Sequence, residues 1–440
     1  MNRPGQRLAR GLGPFSAVAL VAGNIIASGI YVVPASLAEI AGPVSLFAWL
    51  LNAIAFLCLA AVFAALGGAY PITGGPQSFV RLAFGDFWSL LTSYLYWFSC
   101  VTCNSALATG LIGYLVVFFP AIDRPWASFA VAQVLLWAFT IANILGVRVG
   151  GVVQSSTTVL KIIPLLVLAV ALMAHASTVN LVPFAPHGTG ALLPSVALVA
   201  WLYLGAESVT VPGEEVSGAG RTIRRAAYSG FALASIVYIL VACSLSLGLP
   251  GVALVGTASP LAVAASRVLG PAGGVLLTLG ALVSIGGALN GWILVTGRLP
   301  FAAARDGTAP ALLGRVHPRF ATPAVSLTIS TACSSVLAAL YFHRTLLHAY
   351  NFIALLSTAT ALVAIGLGTL AYLRLLRRDA DRFSPRQRRW GPSTAVLGLA
   401  VVILMIAGTG VRIMLLTLMA TAPPAAYHLW STRIRRRDSN

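Results

Sequence analysis

The chain has 440 residues, 58% of them hydrophobic and 9% charged, with a net charge of +18 and a mean hydropathy of +0.91. A soluble domain carries about 25% charged residues, so there are too few charges here to cover a water-facing surface, and a soluble globular fold is excluded. The positive charge sits in short runs between apolar stretches, which excludes a nucleic-acid partner and points to membrane topology.

At about 20 apolar residues per bilayer crossing, the length allows roughly ten to fourteen spans. The apolar runs do not alternate as barrel strands do, so the fold is all-α and integral to the membrane. Twelve transmembrane helices are expected, near 14–40, 43–69, 86–119, 126–146, 150–176, 191–217, 226–249, 271–305, 323–343, 346–374, 394–411 and 413–431. A further re-entrant or peripheral helix is expected near 258–269. The basic start, Met1 to Arg10, precedes an apolar run too long for a signal-peptide core, so it reads as a retained first span.

Two spans carry polar and glycine interruptions. The first is Gly23-Asn24-Ile25-Ile26-Ala27-Ser28-Gly29; the second is Leu204-Gly205-Ala206-Glu207-Ser208. Glycines weaken a helix, and polar neighbours satisfy the backbone groups that a break frees. Such residues also permit close helix packing. Their recurrence in spans one and six, each the first of a five-helix block, favours two inverted repeats with broken first helices. The expected organisation is a cytoplasmic N-terminus (1–13), a first repeat (14–176), a second repeat (191–374), a basic cytoplasmic loop (375–393), helices eleven and twelve (394–431) and a cytoplasmic tail (432–440). The arginines support it. One side collects Arg3, Arg7, Arg10, Arg81, Arg148, Arg221, Arg224, Arg225, Arg298, Arg305, Arg315, Arg319, the run from Arg374 to Arg389 and the tail; the other holds only Arg124, Arg267, Arg344 and Arg412. Both termini are therefore expected in the cytoplasm of a multi-pass plasma membrane protein, the bacterial inner membrane.

Charges within spans are costly and mark function by default. Glu207, at the second interruption, reads as a coupling or gating carboxylate, or as a hydrogen-bonded tie between helices. Lys161, in span five, is the only lysine in the chain. Arginine keeps its charge, whereas a lysine out of water is able to release its proton. It reads as a titratable coupling residue, as a fixed cation in place of a bound sodium ion, or as a packing lysine. The half-helix starting at Ser28-Gly29 offers N–H groups and a positive dipole end to a carboxylate, while carbonyls at Ile25, Trp201 and Leu204 offer acceptors to an ammonium. A ligand with both groups is an α-amino acid. Tyr96, Trp201 and Trp292 lie well inside spans and can wall in a cation; Asn104 and Ser357 can orient a head group or bond between helices. The cysteines show no disulfide or metal spacing. No enzyme motif is present, and neither a cofactor nor a metal is expected.

These residues resemble the amino acid–polyamine–organocation superfamily of permeases. Gly23 to Ile30 is similar to its first-span signature, with Ala27 in place of a glycine; Pro71-Ile72-Thr73-Gly74-Gly75 resembles its P-x-x-G-G turn; Glu214-Glu215-Val216 resembles its E-E-V segment, without the Lys-Asn-Pro that follows there. Leu95 to Asn104, Trp201 to Ser208 and Gly291-Trp292 resemble the arginine/agmatine antiporters and related basic amino acid/polyamine exchangers. The resemblance implies that Ser28 and Gly29 hold the substrate carboxylate and that the carbonyls of Ile25, Trp201 and Leu204 hold its amino group. Trp292 would stack on the side-chain head, with Ser99, Cys100, Asn104 and Ser357 lining that end, and Trp201 would act as a lid. Lys161 instead resembles the lysine of proton-coupled and neutral amino-acid members, and Gln77 stands where the antiporters carry an aromatic. The expectation is a sodium-independent secondary amino-acid transporter, antiporter or proton-coupled, preferring arginine-like substrates. A neutral amino-acid permease or exporter and an amino-acid-binding membrane sensor are the alternatives. Partners are a small amino acid or amine, membrane lipids, protons as a candidate co-substrate, and a second copy in a candidate homodimer.

Overall fold

The computed structural model describes residues 14–70, 72, 75–146, 150–205, 219–341 and 345–437. Among the described residues every regular element is a helix. The first apolar run divides into α1 (Pro14–Ile25) and α2 (Ser28–Ile40), separated by Ile26 and Ala27. Next come α3 (Leu46–Ala69), the short α4 (Pro76–Phe84), α5 (Asp86–Leu115), α6 (Pro125–Leu145) and α7 (Gly150–Met173). A 3-10 link leads to α8 (Leu192–Tyr203), which stops at the second interruption. Then follow α9 (Ala219–Gly248), α10 (Pro260–Arg305), α11 (Ala324–Tyr341), α12 (Leu346–Arg378), α13 (Pro385–Gly408), α14 (Val411–Met419) and α15 (Ala422–Arg437).

Three boundaries differ from the sequence expectation, each for a local reason. The amphipathic α4 occupies a stretch expected as loop. Pro76 sits in its first turn, where no N–H is needed. Gly85, at φ +90°, separates α4 from α5. The apolar run 413–431 holds two helices, because Pro423 and Pro424 cannot continue α14 but suit the first turn of a new helix. Gly270, at φ +74°, turns α10 between Pro260–Leu269 and the long segment from Pro271, so the helix expected near 258–269 adjoins span eight directly.

Seven of these helices are long and apolar enough to cross a membrane, and four shorter apolar helices accompany them: Ser28–Ile40, Leu160–Met173, Thr189–Tyr203 and Ala324–Leu340. Their outward faces carry Ile54, Val134, Val170, Ile236 and Ile403, all exposed, while Ser99, Asn104, Ser105, Ser357 and Thr358 are buried. Apolar outside and polar inside is the distribution that a lipid solvent imposes. Helix α5 packs against α10 and α12; α1 packs against α7 and α9; α2 packs against α8 and α10. The two interruptions therefore meet in the middle of the bundle.

Candidate substrate-binding site

The break between α1 and α2 is defined by its hydrogen bonds. In a continuous helix the N–H of Ala27 would bond to the carbonyl of Gly23, four residues back. It bonds instead to the Ile25 carbonyl at 2.8 Å. Gly23 loses its helical donor, and Lys161 replaces it: its Nζ, buried with 0% exposure, donates to the Gly23 carbonyl at 2.9 Å. Tyr31, on α2, closes the same corner by donating to the Lys161 carbonyl at 3.2 Å, and Tyr114 donates to the Tyr31 carbonyl at 2.6 Å.

The second break begins at Leu204, whose extended backbone (φ −62°, ψ 138°) ends α8, and continues to Gly205 at φ +113°. A Cβ on Gly205 would lie 3.4 Å from the Asn24 backbone carbon, so the peptides of the two breaks are in contact. Tyr238 of α9 joins them. Its Oη is 2.6 Å from the Ile25 carbonyl oxygen and 3.2 Å from that of Leu202, and its one proton serves both. Gly29 allows the closest approach, since a Cβ there would fall 2.4 Å from Leu202 Cγ.

Around this junction lies a small, narrow recess. Of the residues expected from the sequence, Ile25, Gly29, Tyr96, Ser99, Trp201, Leu204, Trp292 and Ser357 line it. Ser99 and Ser357 bond to each other at 3.0 Å, and Ser357 Oγ is 2.7 Å from the Ser99 carbonyl. Trp292 is only 5% exposed.

The remaining expected residues sit one layer back. Ser28 Oγ lies 2.8 Å from Tyr350 Oη. Cys100 is buried on α5 beside the lining residue Ser99. Asn104 donates to Thr296 Oγ1 at 3.0 Å, and Thr296 donates to the Trp292 carbonyl at 2.6 Å, so Asn104 supports the Trp292 turn. The Ile25 carbonyl already accepts from Ala27 and Tyr238. Lys161 touches the break one residue before the lining residue Asn24. Glu207 lies outside the described residues.

Sequence reasoning missed Asn24, Ala27, Cys103, Leu107, Leu202 and Ala361, which complete the lining. Asn24, Ala27 and Leu202 adjoin the interruptions and were accessible from them. Cys103 and Leu107 follow Ser99 and Tyr96 at helical spacing on α5. The lining residues are uncharged, with Tyr96, Trp201 and Trp292 among them. Among the described residues no cluster of metal-ligating side chains is present.

Comparison with known proteins places the chain in a family. The chain is 30% identical over 318 residues to a cadaverine/lysine antiporter of Escherichia coli, covering 70% of each chain. It is 29% identical over 433 residues to an arginine/ornithine antiporter of Pseudomonas aeruginosa, covering 92% of this chain and 88% of the relative. A putrescine transporter of Haemophilus influenzae is 25% identical over 398 residues, covering 89% and 90%. The amino acid permease profile matches residues 12–432, and on that match the chain belongs to the amino acid permease family.

Proposed function

We propose that the chain is a twelve-span secondary transporter that exchanges basic amino acids, arginine-like ones first, by alternating access around the recess. Its two five-helix repeats would be inverted and its termini cytoplasmic, in a bacterial inner membrane. The observation that carries this is the meeting of the α1–α2 break with the end of α8, with Gly205 against Asn24–Ile25 and Tyr238 bonded to both. The start of α2 has no side-chain cap, so its N–H groups are available to a carboxylate. The Trp201 and Leu204 backbone at the end of α8 supplies acceptors for an amino group. Trp292 and Tyr96 offer ring faces to a guanidinium or ammonium. The names of the relatives, cadaverine/lysine, arginine/ornithine and putrescine, support a basic substrate.

Lys161 favours a second reading, a permease for neutral amino acids. A buried lysine at the break puts a cation beside the recess, which disfavours a second positive charge on the substrate and removes any need for sodium. In both readings transport is sodium-independent. Reconstituted vesicles loaded with unlabelled arginine should take up labelled external arginine without sodium. A panel of neutral and basic amino acids competing for that uptake separates the two readings. Binding without counterflow would make the protein a sensor, and current without exchange stoichiometry would make it a channel; either result overturns the proposal.

A further inference from the structure

Tyr350, on α12, is not part of the recess lining, yet it joins the two half-helices that form it. Its Oη lies 2.8 Å from Ser28 Oγ at the start of α2 and accepts from Trp201 Nε1 at 2.8 Å at the end of α8. Its ring meets the Trp201 ring edge-on, with centroids 6.5 Å apart at 87°. Ser28 and Tyr350 are fully buried, and Trp201 is nearly so. Room for the junction comes from Gly110 on α5, where a Cβ would lie 3.2 Å from Ser28 Cβ and 3.3 Å from Tyr350 Cε2.

The donor and acceptor capacities of these groups set a direction. The indole N–H of Trp201 can only donate, so Tyr350 Oη accepts from it. The two hydroxyls can bond either way round. A carboxylate can only accept, and when one sits at the start of α2 the Ser28 proton is drawn to it. Ser28 Oγ then accepts from Tyr350. Every proton now points one way: Trp201 N–H to Tyr350, Tyr350 O–H to Ser28, Ser28 O–H to the carboxylate. Each bond in such a chain polarises the next, most strongly when the last acceptor is charged. An amine without a carboxylate leaves the end of the chain unfilled and the hydroxyls free to reverse.

We infer that Tyr350 is a specificity-determining positioning residue, through which a carboxylate on the substrate tightens the Trp201 lid and amino acids are favoured over their decarboxylated amines. The inference rests on the proposed substrate site at Ser28 and Gly29.

The test uses the full-length purified protein and compares binding of arginine with that of agmatine, which is arginine without its carboxylate. The readout is the ratio of the two affinities. Tyr350→Phe keeps the ring and removes the hydroxyl, and it should lower the arginine-over-agmatine ratio about 10-fold, the loss expected for one hydrogen bond in a charge-terminated chain. On a Ser28→Ala background the same substitution should leave the ratio where Ser28→Ala has put it. A merely structural role for Tyr350 would weaken both ligands alike; an unchanged ratio in Tyr350→Phe therefore overturns the inference and leaves the transporter proposal standing. An equal drop with and without Ser28 also overturns it. Wild-type protein that binds neither ligand would overturn the site proposal and this inference together.

Discussion

Lys161 Nζ donates at 2.9 Å to the carbonyl of Gly23, the acceptor that loses its helical donor where α1 breaks. A buried ammonium thus stabilises a non-helical backbone from a neighbouring helix. Lys161→Ala leaves that carbonyl without a donor in a fully buried place, at a cost of about 1–3 kcal/mol. The variant should melt earlier than wild type and lose most of its exchange activity. If Lys161 also carries a proton during transport, the pH profile of the residual exchange should flatten. Exchange rates in vesicles across about pH 5 to about pH 9 check this, and a wild-type profile in Lys161→Ala would remove the coupling role.

The contact between α2 and α8 makes a steric prediction. In Gly29→Ala the new methyl would fall 2.4 Å from Leu202 Cγ, and overpacking of this kind costs about 1–3 kcal/mol. Either Leu202 turns away or α2 and α8 part, and each disturbs the packing of the start of α2 against α8. Exchange should fall about 5-fold or more, since about 1.36 kcal/mol is a factor of 10 and the low end of that cost is about 1 kcal/mol. The double variant Gly29→Ala, Leu202→Ala should recover part of the loss. An additive double-variant cycle would show that the two residues are not in contact during transport.

At the end of α12, Arg378 and Asp379 pair at 2.9 Å, Tyr70 at the end of α3 donates to the same carboxylate, and Arg378 donates to the Leu82 carbonyl of α4 at 2.8 Å. The hydrogen bond from Arg378, then that from Tyr70, holds Asp379 down to about 2, against 3.8 for a free carboxylate. Burial, then the bond to Asp379, pushes Tyr70 up to about 12, from 10.0. A depressed carboxylate stabilises the fold above its unfolded value, and its contribution is lost as pH falls from about 4 to about 2. The raised phenol contributes below about pH 10 and loses its share as pH rises towards about 12. Asp379→Asn should therefore melt below wild type by a constant margin from about pH 5 to about pH 9, and the margin should close as pH drops below about 4. A margin independent of acid would place the stabilisation elsewhere.

Much of this site was legible in the chain because an apolar run makes its exceptions visible. Gly23, Asn24, Ser28 and Gly29 punctuate an otherwise apolar run, and the break falls among them. Lys161 stood out for the same reason. Tyr238 and Tyr350 did not, because a tyrosine in an apolar run looks the same whether it packs or bonds, and the Ser28–Tyr350 pair is separated by 322 positions. Asn104 was recognised as polar, but its partner Thr296 comes from a distant helix, so its place behind Trp292 could not be read. The split between α14 and α15 was present in Pro423 and Pro424, and the strong apolar pattern around them obscured it.

Trp292 separates the two substrate readings. If its ring faces a cationic side chain, Trp292→Leu should weaken arginine about 2- to 30-fold, corresponding to about 0.5–2 kcal/mol for a cation over an indole. A neutral amino acid of similar length should lose less. Competition for labelled uptake measures both, and equal losses would favour the neutral reading.

The most direct measurement is an experimental structure of the protein with arginine bound. The ligand carboxylate should lie within about 3 Å of the N–H groups at Ser28 and Gly29, and its amino group should face the carbonyls of Trp201 and Leu204, with Ile26 and Ala27 still outside any helix. Arginine found away from this recess, or a helix running unbroken from Pro14 to Ile40 around it, would contradict the account.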